Sequence, residues 1–431
     1  MTTKPILNII TLGCSKNKVD SEHLAALLKK KYIVRHDSEK RADIVIVNTC
    51  GFIGDAQEES VNTILEYAEQ RKGGEISKLY VMGCLSQRFR KDLIAEIHEV
   101  DAFFGVEPVQ EIASVILDEK IENTYTCGRM LSTPKHYAYL KISEGCNRRC
   151  AFCAIPLIRG PHKSVPMKNL LEEAGLLAKK GVKELILIAQ DLTCYGIDID
   201  GKSHIVELVE KLSEISGFEW IRLHYAYPLG FPDELFEVMR ENPKMCHYID
   251  LPLQHISTPI LKAMRRGVDR ETTIGFVENA RKRVPDIAFR TTFIVGFPGE
   301  TEQQFEELCD FVREMRFERA GVFAYSPEVG TPAYKMKDDV PDEVKQFRVD
   351  KLMSIQQEIS LEINEKRVGR TEKVLIDRLE GDYLVARSQY DSPEVDDEIL
   401  IPFDEKTLVG TFVNVKITKA DYFDCYGEIV K

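Results

Sequence analysis

The sequence predicts an α/β protein in three parts: an N-terminal doubly wound parallel α/β domain, a central partial (β/α)6 barrel, and a C-terminal small OB-like five-stranded β-barrel. Three observations carry that prediction. Short apolar runs alternate with helical patterns over residues 4–120, and the alternation resumes with six further units over 137–366. Residues 367–431 change character, holding only short strands and polar turns. A chain of 431 residues has room for about three such units, each burying its own core.

In the first part, the runs Leu7 to Leu12, Asp43 to Asn48 and Leu79 to Met82 read as strands, with helical patterns at Ser21 to Lys30 and Ala56 to Gln70. Residues 121–136 lose periodicity, contain Gly128 and Pro134, and read as a linker. The central strands are Tyr139 to Ser143, Glu184 to Ala189, Trp220 to His224, Tyr248 to Pro252, Phe289 to Val295 and Arg319 to Tyr325. Six β/α units imply a barrel open on one side, with functional groups at the carboxyl ends of its strands. A charged amphipathic helix, Phe347 to Arg367, leads out of it. The last strands are Lys373 to Arg378, Tyr383 to Arg387, Glu398 to Ile401, Thr411 to Thr418 and Cys425 to Val430.

Composition narrows the function classes. No apolar run approaches the roughly 20 residues that span a bilayer. Ile6 to Cys14 (ILNIITLGC) faintly resembles a lipoprotein signal, but it is short, is broken by Asn8 and has no basic leader beyond Lys4. A buried first strand explains it better, and the protein is read as cytoplasmic. A net charge of −12 argues against a generic nucleic-acid binder. Eleven cysteines in a reducing compartment point to metal or redox chemistry instead of disulfides.

Cys146, Cys150 and Cys153 form CxxxCxxC, in GCNRRCAFC. Three thiolates in one loop can hold three irons of a [4Fe–4S] cube and leave the fourth open for chemistry. Structural zinc takes four ligands, and only His162 stands near enough in sequence to be considered as a fourth. A second constellation is Cys14, Cys50 and Cys84, each just after a strand (IITLGC, IVIVNTC, YVMGC) and spaced by 36 and 34 residues. If those strands are parallel, the three thiols share one sheet edge, where open α/β sheets bind ligands. Isolated cysteines are more often inert core residues, but three in register favour a second cluster. Cys127, Cys194, Cys246, Cys309 and Cys425 show no such register, although Cys194 can face the barrel mouth.

The CxxxCxxC loop, with aromatic Phe152 and its place after the first strand of a partial barrel, resembles the radical S-adenosylmethionine superfamily. The resemblance implies that Cys146, Cys150 and Cys153 carry the catalytic cluster. The cofactor's amino and carboxyl groups would chelate the open iron, and one electron would release a 5′-deoxyadenosyl radical. Gly296, in TTFIVGFPGET, matches the glycine-bearing fifth-strand motif where backbone approaches the adenosyl group. Gln190 and Asp191 stand where the family contacts the cofactor's amino acid end, or else they simply cap a strand.

Taken together, the three parts resemble the methylthiotransferases, the last part being similar to a TRAM domain. That resemblance implies two [4Fe–4S] clusters, with S-adenosylmethionine serving both as methyl donor and as radical source. LGCSKNKVDSE, NTCGFI, KISEGCNRRCAFCAIPLIRGP, HYAYP and DLPLQH resemble the RimO branch, which modifies the β-carbon of an aspartate in small-subunit ribosomal protein S-twelve. Ser15, Lys18 and Lys163 depart from common wording without touching a ligand. The alternatives are a MiaB-like tRNA adenosine methylthiotransferase with the same chemistry, and a non-catalytic iron–sulfur electron carrier or scaffold. From Arg367 to Lys431, 9 basic against 14 acidic residues give a net of −5, which is either a merely solvated acidic face or, combined with the motif wording, an argument against tRNA and for a basic protein partner docking on the acidic TRAM domain. The resemblance also implies an electron donor such as flavodoxin. Arg222, His224 and Tyr225, at a strand end, are candidates for gripping the substrate.

Overall fold

The structure is a computed structural model, and it describes residues 4–122 and 124–430. Its N-terminal sheet comprises β1 (Ile6–Thr11), β2 (Ile33–His36), β3 (Ile44–Thr49), β4 (Lys78–Gly83) and β5 (Ala102–Phe103), all parallel, in the order β2-β1-β3-β4-β5. Every residue of β3 is buried, as a strand covered on both faces requires. Helices α1 (Ser15–Leu28), α2 (Gly54–Lys72), α3 (Cys84–Glu96) and α4 (Val109–Leu117) complete the doubly wound unit. Two strands, β2 and β5, escape sequence reading because edge strands this short carry no alternation.

The predicted helix Ser21 to Lys30 begins six residues earlier, at Ser15. Its first turns are polar (SKNKVD), so no apolar stripe announces them, yet Lys16, Asn17, Val19 and Glu22 are buried. They are covered by the central domain: Val19 packs with Tyr137, Tyr139, Ile186 and Ile188, the strand residues that line one face of the neighbouring sheet.

That second sheet contains β6 (Tyr137–Lys141), β9 (Glu184–Ile188), β10 (Trp220–Leu223), β11 (Met245–Asp250), β12 (Ala288–Val295) and β13 (Arg319–Ala324). A small antiparallel pair, β7 (Ser143–Glu144) and β8 (Lys163–Ser164), brackets the CxxxCxxC loop. The six strands run parallel in the order β13-β12-β11-β10-β9-β6, an open barrel wall. Its largest core lies between this wall and the surrounding helices. Helix Asp342–Glu365 leads to the C-terminal unit. There β14 (Thr371–Glu380), β15 (Tyr383–Ser388), β16 (Glu398–Pro402), β17 (Phe412–Ala420) and β18 (Asp424–Val430) close into a five-stranded barrel in the order β14-β15-β16-β18-β17. Among the described residues no helix is long and apolar enough to cross a membrane.

The C-terminal barrel is bolted to the central wall by buried charge. Glu184, on β9, takes Arg222 Nε at 2.7 Å on one oxygen and Arg387 Nη2 on the other. Arg387 also donates to Asp377 (2.7 Å), whose second oxygen meets His136 (2.8 Å). The loop after β15 reaches inward: Asp391 and Asp397 pair with Arg319, and Asp396 with Arg290 (3.2 Å) and the Tyr248 hydroxyl (2.7 Å). Glu394 extends farther, to Lys18 of α1 (2.7 Å).

Candidate active site

The carboxyl ends of β1, β3 and β4 are level, since Thr11 pairs with Asn48 and Thr49 with Gly83. Cys50 follows β3 directly, Cys84 opens α3 and Cys14 caps α1. The strand order turns back between β1 and β3, so Cys14 and Cys50 flank the crevice where such sheets bind ligands. Gly13 has φ +84°, and a Cβ there would lie 2.7 Å from Cys50 Sγ; only glycine lets the two loops close on each other. Burial pushes the Cys50 thiol up to about 11, with Cys14 and Cys84 both adding to the rise. The three thiols therefore lie within electrostatic reach of one another.

Cys146, Cys150 and Cys153 occupy the loop between β7 and β8. Gly145, at φ +76°, is forced: a Cβ there would meet Pro161 O at 2.2 Å. Cys146 Sγ accepts from Arg148 N and Cys150 Sγ from Arg266 Nη1, each at 3.4 Å. Burial pushes Cys146 up to about 11 and Cys153 up to about 12, and in each case the neighbouring cysteines contribute. His162 does not turn to the cysteines; its Nε2 lies 3.1 Å from Ser164 Oγ and 3.6 Å from Asp198. Among the described residues no three His, Cys, Asp or Glu side chains converge on a point that would hold a single metal ion. Thiolates that each bind a different iron of a cluster need not converge on one point.

The two cysteine regions are joined at Arg159 and Cys84. Arg159, buried, donates to Cys84 Sγ (3.4 Å), Asn17 Oδ1 (2.6 Å), Asp20 Oδ2 (2.9 Å) and Glu144 Oε2 (3.0 Å). Cys84 also packs against Ala154 and Ile158, immediately beyond Cys153. A single guanidinium thus connects the N-terminal sheet edge to the second cysteine loop.

The mouth of the barrel carries several buried polar atoms without a partner: Ser143 Oγ, Gln190 Oε1, Gln254 Oε1 and Tyr325 OH. They stand just past the carboxyl ends of β6, β9, β11 and β13. Orphaned polar groups are costly inside a protein, and a ring of them at strand ends fits a polar cofactor such as S-adenosylmethionine. Gln254 and Tyr225 also hold φ values of +76° and +67°, the left-handed strain that collects at functional sites. Gln254 lies in DLPLQH, one of the motifs of the family resemblance, but neither it nor Ser143 nor Tyr325 has a role predicted from sequence. Their place at or just beyond the carboxyl ends of the predicted strands is the signal available for them.

The remaining predicted residues are distributed as follows. Gln190 donates to Glu144 Oε1 (2.8 Å), leaving its own oxygen free. Asp191 is fully engaged: one oxygen caps the Leu192–Cys194 turn through Thr193, and the other holds Arg148 Nε at 2.7 Å. Arg148 also lies over the Tyr227 ring. Cys194 does reach this mouth, 3.2 Å from Asp191. Phe152 packs with Ala151, Phe297 and Tyr325. Gly296 has φ +70°, and a Cβ there would strike Lys345 Cγ at 2.3 Å, so the long helix demands glycine independently of any ligand.

The substrate candidates divide. Arg222 belongs to the Glu184 clamp, and His224 Nε2 is held by Ser392 Oγ at 2.8 Å. Both serve the junction with the C-terminal barrel, which sequence could not reveal because the partners lie more than 160 residues away. Tyr225 alone turns to the triads, with Lys16 Nζ 3.1 Å above its ring. Burial pulls the Lys16 ammonium down to about 8, against the opposing pull of Cys14 and Asp250.

Comparison with known proteins agrees with this architecture. Residues 140–312 match the radical SAM superfamily, 7–105 an uncharacterised protein family, UPF0004, and 368–430 the TRAM domain. The chain is 52% identical over 425 residues to ribosomal protein uS12 methylthiotransferase RimO of Christiangramia forsetii, covering 98% of this chain and 94% of that protein. It is 53% identical over 428 residues to the RimO of Bacteroides thetaiotaomicron, covering 98% of each. Among solved structures, the radical S-adenosylmethionine methyltransferase TsrM from Kitasatospora setae aligns with a TM-score of 0.54 at 14% identity, over 89% of this chain and 81% of that one; it shares the fold. Identity above one half along nearly the whole length places the chain: it belongs to the RimO family of radical S-adenosylmethionine methylthiotransferases.

Proposed function

We propose that this enzyme adds a methylthio group to the β-carbon of an aspartate in small-subunit ribosomal protein uS12. The observation that carries the proposal is the identity of 52–53% over 98% of the chain to proteins named ribosomal protein uS12 methylthiotransferase; the aspartate β-carbon is what the family resemblance adds. In this reading Cys146, Cys150 and Cys153 hold one [4Fe–4S] cluster and Cys14, Cys50 and Cys84 hold another. Bound there, open-iron clusters supply one-electron cleavage of S-adenosylmethionine and a place for sulfur. The chain's own contributions are positional. Arg148, Arg159 and Arg266 place positive charge on the thiolates, which favours their deprotonated, ligating form. Gln190, Ser143, Gln254 and Tyr325 offer hydrogen-bonding atoms to the cofactor's polar groups. Asp191 acts through Arg148, while Phe152 and the Gly296 backbone wall the site.

We further propose unit boundaries at 4–120, 121–136, 137–366 and 367–431, a cytoplasmic location and reduction by a flavodoxin-like donor. The acidic C-terminal barrel is proposed to favour a basic protein over RNA. That argument is narrower than net charge implies, because Asp377, Asp391, Glu394, Asp396 and Asp397 are engaged at the junction. The acids free to meet a partner are outer ones such as Asp382, Glu405 and Glu428. Reconstituted enzyme offered purified uS12 and unmodified tRNA in parallel tests the reading. Methylthiolation of an aspartate in uS12 is expected; modification of the tRNA alone would overturn it.

A further inference from the structure

The region between the two cysteine triads is crowded with buried cations, and almost all are matched. Arg159 has Asp20 and Glu144, Lys141 the same two carboxylates, and Arg290 has Asp250 and Asp396. Arg266 has no carboxylate but donates to Cys150 Sγ (3.4 Å) and to Pro252 O; Lys16 has neither kind of partner. It is 7% exposed, and among the described residues its ammonium has no hydrogen-bond acceptor and no carboxylate within ion-pair distance. Only the face of Tyr225 supports it, at 3.1 Å. A buried ammonium without an anion is a standing electrostatic penalty, and such a group persists where an anion arrives.

Its position shows where that anion would enter. Lys16 sits two residues beyond Cys14, on the first turn of α1, against the barrel mouth. The charged groups it feels belong to both halves of the site: Cys14 on one side, Asp250, Glu144 and Arg159 on the other. Tyr225, which holds it, follows β10 in a strained left-handed conformation, so the barrel maintains this contact against a backbone penalty. With Arg159, Lys141 and Arg290 paired to carboxylates and Arg266 committed to Cys150 Sγ and Pro252 O, the cation left for an acidic side chain entering between the triads is, among the described buried residues, Lys16.

We propose that Lys16 receives the carboxylate of the substrate aspartate and thereby selects an acidic side chain. The assignment rests on the protein-substrate reading above. Its chemical sense is direct: the β-carbon is bonded to the carboxylate carbon, so fixing the carboxylate fixes the reacting carbon one bond away, between the two cysteine sites. An adenine base has no carboxylate to offer. Tyr225 keeps the ammonium in place without neutralising it, which a carboxylate partner would do.

The test uses reconstituted holoenzyme, wild type and with Lys16→Met or Lys16→Arg. Each is titrated with purified uS12 and with uS12 whose target aspartate is replaced by asparagine. Wild type is expected to bind the aspartate form on the order of ten- to a hundredfold tighter than the asparagine form, the range for a buried charge-assisted pair. Lys16→Met should lose that preference while binding the asparagine form as wild type does, and Lys16→Arg should retain part of it. Because Lys16→Met removes an uncompensated buried charge, its iron content and unfolding midpoint should not fall. A preference unchanged in Lys16→Met overturns the assignment, as does equal weakening of both forms, or a variant that loses iron or unfolds more readily, since each makes Lys16 structural. Wild type that modifies tRNA and neither binds nor modifies uS12 overturns the underlying reading instead.

Discussion

Replacing Glu184 with glutamine should release the C-terminal barrel from the central wall. The carboxylate is fully buried and faces two arginines, Arg222 at 2.7 Å and Arg387. At an effective dielectric near 20, each such pair is worth about 4 kcal/mol of gross Coulomb attraction. Desolvation of three charges offsets much of that. Removing the one anion leaves Arg222 with backbone carbonyls only (Gln389 O at 2.8 Å) and Arg387 with Asp377 and the carbonyl of Asp391. Breaking a buried pair from one side costs about 3–5 kcal/mol. That raises the undocked population on the order of a hundred- to several-thousand-fold. Limited proteolysis around residues 366–370 reads this population directly, and Glu184→Gln should be cut faster by a comparable factor. The pH dependence follows from the same charges. Burial raises the Glu184 carboxyl, but Arg387 and Arg222 together pull it below the ordinary range. A depressed carboxylate contributes stability that is present above its unfolded value near 4.5 and lost as pH falls through the folded one. Wild type should therefore loosen only in acid, while Glu184→Gln is loose at neutral pH. Equal cleavage rates for the two proteins at pH 7 would refute the clamp.

Asp397 should behave in the opposite sense. Burial, with Asp391 adding and Arg319 opposing, pushes its carboxyl up to about 7, so its stabilising contribution is full below 3.8 and lost as pH rises through 7. Asp397→Asn should accordingly shift the unfolding midpoint more favourably at pH 8.5 than at pH 6; equal shifts would contradict the assignment. Gly145→Ala must move Pro161 or the cysteine loop, because its Cβ has 2.2 Å to the nearest oxygen. It should add about 1–3 kcal/mol of strain and lower iron retention, and an unchanged iron content would show that the loop yields freely. Cys150→Ala should abolish 5′-deoxyadenosine formation while keeping the iron held by the N-terminal triad. Continued formation would remove Cys150 from the site.

The parallel strands legible in the sequence are the longer apolar runs, and β3, buried along its whole length, is the clearest: it reads as Asp43 to Asn48 and is Ile44–Thr49. Cysteine register followed from that alone, since thiols after adjacent parallel strands must share an edge. Polar burial was not legible. The start of α1 is not legible because Lys16 and Asn17 look like a solvated turn until the barrel is placed over them. Arg222 and His224 looked like site residues for the mirror-image reason. Their position at a strand end was right, but the groups that occupy them come from the loop after β15. Long-range charge pairing, unlike hydrophobic periodicity, leaves no local trace.

The central claim is that six cysteines form two separate sites. Iron content of anaerobically reconstituted enzyme, measured beside a Cys14/Cys50/Cys84→Ala triple variant, tests it most directly. The expected values are about eight irons for wild type and about four for the variant. A wild type holding about four, with the same value after the three cysteines are removed, would contradict it.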